Sequence, residues 1–440
     1  MADHPTSDPG PNPTPEPSFN LNARRPTGRP VYESTLLPAR KRRRFSPWLI
    51  VPGLLLLLLA LLYFLIFGPK PRRAVNTANT VIYASDAGSP GVTHLWSARA
   101  DGGERHPLTL GTSADSAPAF SADGSQIAFL SNRAGGQNQV WLMDGDGKNS
   151  ISLTQGGGAK SQPAFAPGSS ALLGFLSGAS LAVLNIGKGD TSLILPRPAG
   201  QAARPDSTDL ADPRPIQEAA SAVTGFVWQP SAPDPANPGL VAVLDTAGIQ
   251  TLAVLPTLDG SPRLTQNDQP DGPPLAAADG IAPAWAPDGS KMAVALLHVQ
   301  GLPGGKKASG LFQGDARGNL QTPLIPIIED PAVGPLTPTY SPDGSLLAFE
   351  VWRQPDLASR TRLGLFLIPS GGGTPKPIAR GDAGAAQFSR DGRHLFFLQR
   401  RPDGGHDLFR EGVDGTGRTR LSDGKSDVTS FALSPQVAKP

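Results

Sequence analysis

The side chains whose type and spacing could support chemistry are few, and the acidic ones recur. Asp123, Asp288, Asp343 and Asp391 each precede a glycine at the same place of a repeated turn. Convergent carboxylates would serve general acid–base work. One carboxylate per repeat is instead what a hairpin uses, because Asp hydrogen-bonds backbone just beyond itself. Asp144-Gly-Asp146-Gly-Lys-Asn149 has the opening of a calcium loop but lacks the carboxylate due at the twelfth place. The six histidines (His4, His94, His106, His298, His394, His406) never fall at helical metal spacing, and no His-Glu-x-x-His occurs. No Gly-x-Ser-x-Gly elbow is found, and the absence of Cys removes disulfides, thiolate metal sites and Cys nucleophiles. The sequence therefore assigns no catalytic residue, no metal ligand and no cofactor, and an enzyme is not expected.

Cations give the better candidates. Arg133, Arg353 and Arg400 follow alternating apolar segments at places read as equivalent, where they could ring an anionic ligand or protein patch. Their competing role is internal pairing with the turn aspartates. Lys306 and Lys307 form a basic tip within 298–310, one of three insertions, with 196–222 and 268–280, that set individual repeats apart.

The elements that must position these residues are short strands. Pro118-Ala-Phe-Ser-Ala-Asp-Gly124 recurs as Pro283-Ala-Trp-Ala-Pro-Asp-Gly289 and Pro338-Thr-Tyr-Ser-Pro-Asp-Gly344, with weaker copies at 386–392, 163–168, 225–230 and 431–435. The shared large apolar position is Phe120, Phe165, Trp228, Trp285, Tyr340, Phe388 and Leu433, at intervals of 45, 63, 57, 55, 48 and 45 residues. Each copy precedes an alternating strand such as Gln126–Leu130, then a third (Val140–Met143) and a short fourth ending Leu-Thr or Leu-Ser. Four antiparallel strands of this length make one propeller blade. Residues 80–110 supply strands two to four without a first, and 428–434 supply a first strand alone. Joined, they close a ring and remove its exposed edges. The reading is an all-β, seven-bladed propeller over 80–435, six or eight blades being the other counts the weak copies allow.

A different object precedes it. Residues 1–73 carry 11 Lys/Arg against 4 Asp/Glu, whereas the remainder carries 28 against 33. The basic pI thus belongs to a leader and is no sign of a nucleic-acid surface. Residues 1–45 are Pro-rich and poor in apolar side chains, which predicts a disordered tail. Trp48 to Phe67 is an uncharged run of 20 residues, about 30 Å as a helix, enough for a bilayer. The expected transmembrane helix is 46–68, followed by a linker at 69–79, and 436–440 form a C-terminal tail. Arg40, Lys41, Arg42, Arg43 and Arg44 precede the span, so the positive-inside rule places the tail in the cytoplasm and the propeller outside.

The Pro-Ala-Trp-Ser-Pro-Asp-Gly pattern, with Ser131-Asn-Arg133, Met143-Asp-Gly-Asp-Gly147 and Leu-Thr after it, resembles the TolB-type propeller repeat across residues 80–435. That resemblance implies a propeller in the bacterial envelope that binds proteins. The TolB family itself has six blades and an N-terminal α/β domain, whereas this sequence has the apolar span in that place. Some pectate-type lyases resemble the same propeller and hold a channel metal with several histidines. The expected function is a non-catalytic, membrane-tethered platform for a protein or cell-wall partner, with the bilayer met through one helix and no nucleic acid bound. The alternatives are a propeller hydrolase or lyase with a channel metal site, and a ligand sensor signalling through the tail, where Thr27 follows Arg24-Arg25-Pro26.

Overall fold

The computed structural model describes residues 79–195, 222–230, 236–246, 249–259, 263–264, 281–299, 308–326, 328, 330, 333–356 and 359–435. The expected tail, the span from Trp48 to Phe67, the cluster Arg40 to Arg44, Lys306, Lys307 and residues 436–440 lie outside them. Among the described residues no helix is long and apolar enough to cross a membrane.

Strands β1 (Thr80–Ser85), β2 (His94–Arg99) and β3 (His106–Pro107) begin the described chain. Blade 2 is β4 (Asp115–Phe120), β5 (Gln126–Ser131), β6 (Gln139–Asp144) and β7 (Ile151–Ser152). Blade 3 is β8 (Lys160–Phe165), β9 (Leu172–Ser177), β10 (Ser180–Asn185) and β11 (Asp190–Leu195). Blade 4 is β12 (Ala222–Trp228), β13 (Leu240–Thr246), β14 (Ile249–Leu255) and β15 (Arg263–Leu264). Blade 5 is β16 (Ile281–Trp285), β17 (Lys291–Val299), β18 (Ala308–Asp315) and β19 (Leu320–Pro323). Blade 6 is β20 (Val333–Tyr340), β21 (Leu346–Asp356), β22 (Ser359–Pro369) and β23 (Lys376–Arg380). Blade 7 is β24 (Ala383–Phe388), β25 (His394–Arg400), β26 (His406–Gly412) and β27 (Thr419–Arg420).

The last strand, β28 (Val428–Leu433), pairs antiparallel with β1 and completes blade 1 in the order β28-β1-β2-β3. The closure expected from the two chain ends is therefore present, and the fold is an all-β propeller of seven four-stranded blades.

The repeated motifs now have physical reasons. In blade 2, Ser121 Oγ accepts the Gln126 N–H at 3.0 Å and donates to Asp123 at 2.7 Å, while Gly124 takes a positive φ that costs glycine little. Ser341 with Asp343 and Ser389 with Asp391 repeat this turn in blades 6 and 7. The Leu-Thr ending caps the third strand: Thr109, Thr154 and Ser422 accept the N–H groups of Leu95, Val140 and Leu408 at 2.9, 2.9 and 3.1 Å.

The motif's proline marks a bulge. Ala117, Gln162 and Thr337 adopt φ of 47°, 50° and 45°, and each directly precedes a proline of the inner strand, with the pairing register slipping there. A bulge leaves one residue unpaired, so a residue without an N–H costs no ladder bond. Ala385 adopts the same conformation in blade 7, where Ala386 replaces the proline.

The core is a set of wedges between blades. Blades 3 and 4 share Leu176, Leu181, Trp228 and Leu240, and blades 7 and 1 share Phe396, Leu408, Val81 and Tyr83. Five further clusters join the other neighbouring pairs, one to each pair. Each blade thus packs on two others. Burying one of the interior phenylalanines Phe129, Phe349 or Phe397 stabilises the ring by about 2–3 kcal/mol.

Candidate functional site

Antiparallel topology sorts every connection to one of two ends of the ring. First-to-second and third-to-fourth connections form a turn face, where the Asp-Gly hairpins lie. Second-to-third connections and links between blades form the opposite, loop face. The inserted segments 196–221, 265–280 and 300–307 lie outside the described residues, but the strand ends that they connect, β11 to β12, β15 to β16 and β17 to β18, are at the loop face. The expected insertion 298–310 is partly strand, since β17 runs to Val299 and β18 begins at Ala308. The hairpins of blades 5 and 6 also project at this end, β21 and β22 having 11 residues each where β5 and β6 have 6.

The sequence-derived arginines have different fates. Arg133 is internally held, with its guanidinium 2.7 and 2.8 Å from the two oxygens of Asp115 and 4.8 Å from the Trp141 ring centroid. Its partner is not a turn aspartate, because those carboxylates belong to the other face. Asp115 is the first residue of the inner strand and is wholly buried.

Arg353 is exposed, and among the described residues its side chain has no ion-pair or hydrogen-bond partner. Arg400 is also exposed; its Nε donates to the Gly404 carbonyl at 3.3 Å, and Asp382 lies 4.0 Å away. Arg400 does not occupy the place expected of it. Arg133 and Arg353 stand nine residues after Gly124 and Gly344, and the residue nine after Gly392 is Arg401. The strand register agrees, since Asp115 pairs with Ser131 and Ala383 with Gln399.

Arg401 is the counterpart, largely withdrawn from solvent. It bonds Asp403 at 3.0 Å, Asp407 at 3.2 Å and the carbonyl oxygens of Ser426 and Lys425 at 2.8 and 2.9 Å. Counting from the turn glycine was the signal that would have found it.

Two further groups of this face escape sequence reasoning, because their members come from different strands. Glu350, 2% exposed, accepts from Arg362 Nε at 2.9 Å, Trp352 Nε1 at 2.8 Å and the Ala385 N–H at 2.7 Å. It thereby holds the bulge of blade 7 from blade 6. Arg362 also bonds Asp382 and lies 4.5 Å from the Trp352 ring, with exposed Arg360 5.5 Å from the same ring. Lys160 is buried without a carboxylate: its ammonium donates to the carbonyls of Gly156, Gly157 and Gly158 and to Ser177 Oγ, each at 3.0 Å. Burial lowers its pKa.

The inner strands line the axis. Their exposed residues among those described are Ser161, Gln162, Thr224, Thr337, Ala385 and Thr429, all uncharged. The histidines are scattered over blades 1, 5 and 7: His94 in β2, His106 in β3, His298 in β17, His394 in β25 and His406 in β26. His94 is buried, and neither ring nitrogen has a hydrogen-bond partner among the described residues. In the Asp144–Asn149 turn, Asp144 accepts from Asn149 at 2.6 Å and Asp146 from Lys148 at 2.9 Å.

No protein-family model and no curated protein matches the chain. Solved structures are similar to it. A prolyl endopeptidase superposes with a TM-score of 0.51 at 12% identity, over 82% of this chain and 49% of that one. TolB from Acinetobacter baumannii gives 0.45 at 14% identity, over 81% and 66%, and an oligogalacturonate lyase from Vibrio parahaemolyticus gives 0.47 at 10%, over 78% and 84%. The chain thus spans about half of the endopeptidase and just under two thirds of the TolB. At such identities the likeness concerns the fold, which is a propeller.

Proposed function

We propose that this protein is a non-catalytic binding platform, tethered to a membrane by the apolar segment around Trp48 to Phe67, with the propeller outside the cytoplasm in the bacterial envelope. The observation that carries the reading is the asymmetry of the two faces. The turn face consists largely of short hairpins whose aspartates are engaged by neighbouring hydroxyl and N–H groups. The loop face holds the strand ends that the three insertions connect, the long second and third strands of blades 5 and 6, and the exposed side chains of Arg353 and Arg360. Loops on a rigid scaffold are where recognition concentrates.

Both ends of the ring leave from the turn face, where the Ser434 N–H donates to the Thr80 carbonyl at 2.9 Å. Among the described residues, neither end of the ring lies at the loop face. The exposed residues of the inner strands, all uncharged among those described, support binding over acid–base chemistry at the axis. The partner is a protein or cell-wall component with an anionic patch, since guanidinium groups pair best with carboxylates and phosphates.

The test is retention of envelope proteins and cell-wall fragments by the immobilised full chain. Exchanging Arg353 and Arg360 for Ala and replacing 301–307, with Lys306 and Lys307, by a neutral linker should weaken retention about tenfold or more. Equal retention by both proteins would reject the loop face as the binding surface. A stoichiometric metal together with turnover of a glycan or peptide would replace this reading by a lyase or hydrolase.

A further inference from the structure

The seam where the chain ends meet contains a cleft of about 250 Å³ on the turn face, remote from the proposed binding face. Blade 1 contributes Arg99 and Asp101, and blade 7 contributes Arg390, Asp391, Phe396 and Arg410. Arg410 stands opposite Phe396 in the ladder, and Phe396 packs in the cluster that joins blade 7 to Val81 and Tyr83 of blade 1. The Arg410 side chain is thereby directed onto the seam.

The two carboxylates of the cleft are already engaged. Asp101 is 2.9 Å from Arg99 and accepts the Gly103 N–H at 3.0 Å. Asp391 accepts from Ser389 Oγ at 2.5 Å and from the Arg393 N–H at 3.0 Å. Arg390 and Arg410 have no ion-pair or hydrogen-bond partner for their side chains among the described residues. The Arg410 Nε is, moreover, buried. A buried guanidinium donor left unpaired costs free energy that a bound acceptor would recover.

We propose that this cleft binds a phosphate group, free or as a small monoester, between Arg410 and Arg390 of blade 7 and Arg99 of blade 1. A tetrahedral oxyanion offers several acceptors to the planar forks of Arg390 and Arg410, while Arg99, held by Asp101 at 2.9 Å and 3.8 Å from Glu104, adds the N–H groups it has left. The volume admits a small ligand and excludes a folded partner. Because the ligand touches both blades of the seam, it binds the closed ring and not an opened one. Occupancy therefore stabilises closure by mass action.

The test uses the full chain in detergent micelles, titrated with inorganic phosphate at constant ionic strength. Calorimetry should show one saturable site, and the thermal midpoint of the ring should rise with phosphate but not with equivalent chloride. Arg410→Gln should weaken phosphate binding about tenfold or more. Arg390→Gln, at an exposed position where folding is not at stake, should weaken binding and abolish most of the midpoint shift. Absence of saturable binding, or unchanged affinity in Arg390→Gln, would overturn the proposal. An equal midpoint shift with acetate would overturn the assignment to phosphate.

Discussion

Ser121, Ser341 and Ser389 each satisfy a backbone N–H and a carboxylate with a single hydroxyl. The consequence is a pH dependence with a fixed sign. The Ser341 hydroxyl, with the Ser345 N–H and hydroxyl, lowers Asp343 from 3.8 to about 2. For Asp123, burial alone would raise the pKa, but the Ser121 hydroxyl and the Ser125 N–H and hydroxyl outweigh it and bring it to about 2. A folded pKa below the unfolded one stabilises the protein above the unfolded value, and that stabilisation disappears as the pH falls from about 4 to about 2. Denaturant midpoints measured across that range should fall together with the ionisation of these turns. Ser121→Ala should cost about 1–2 kcal/mol at neutral pH in equilibrium unfolding. Blade 5 shows that the change is compatible with folding, since Ala286 fills the same place and Asp288 still accepts from Ser290, as Asp123 does from Ser125. Glu350→Ala is the severe counterpart: it strands Arg362, Trp352 and the Ala385 N–H, with an expected loss of about 3 kcal/mol by the same measurement. The turn aspartates were legible because serine, aspartate and glycine lie within a few residues. Glu350, Arg362 and Asp382 were not, because the strand register alone brings them together.

Strands and hairpins carry the individuality of the ring. Inner strands could be recognised by their Pro-Ala-aromatic pattern, but the bulges within them could not. The conformation of Ala117 or Gln162 is imposed by the neighbouring strand rather than by the residue itself. The bulges do join blades: the Ala117 N–H donates to Ser430 Oγ at 3.0 Å, from blade 2 to blade 1. The misplaced Arg400 has a different origin, since the count from the turn glycine gives Arg401 and a shift of one residue in a strand exchanges one face for the other. Interfaces between blades are equally specific. A side chain at Gly174 of blade 3 would place its first carbon 2.8 Å from the rings of Phe226 and Trp228, which pack edge to face with each other in blade 4. Gly174→Ala should therefore cost about 1–3 kcal/mol, read from denaturant unfolding.

For the whole molecule, ring closure replaces covalent bracing. A chain without cysteine joins its ends through the β1–β28 ladder, and the Gln387 side chain donates to the Phe431 carbonyl at 3.1 Å across the blade 7–blade 1 seam. Ending the chain before Val428 should expose the inner edge of β1 and open the blade 7–blade 1 wedge. Hydrogen exchange should then lose protection first in β1, β2 and β25, beside the missing strand. Seven blades and their closure were readable because each depends on a motif recurring along the chain. The proposed binding face was readable only in pieces, since topology is what brings the strand ends flanking three separate insertions to one end. The most direct measurement of the central claim is photo-crosslinking in intact cells, with a reactive side chain placed at Arg353 on the loop face or at Ser290 on the turn face. The platform reading predicts a discrete envelope partner captured from Arg353 and none from Ser290. Capture from Ser290 alone, or from neither position, would contradict it.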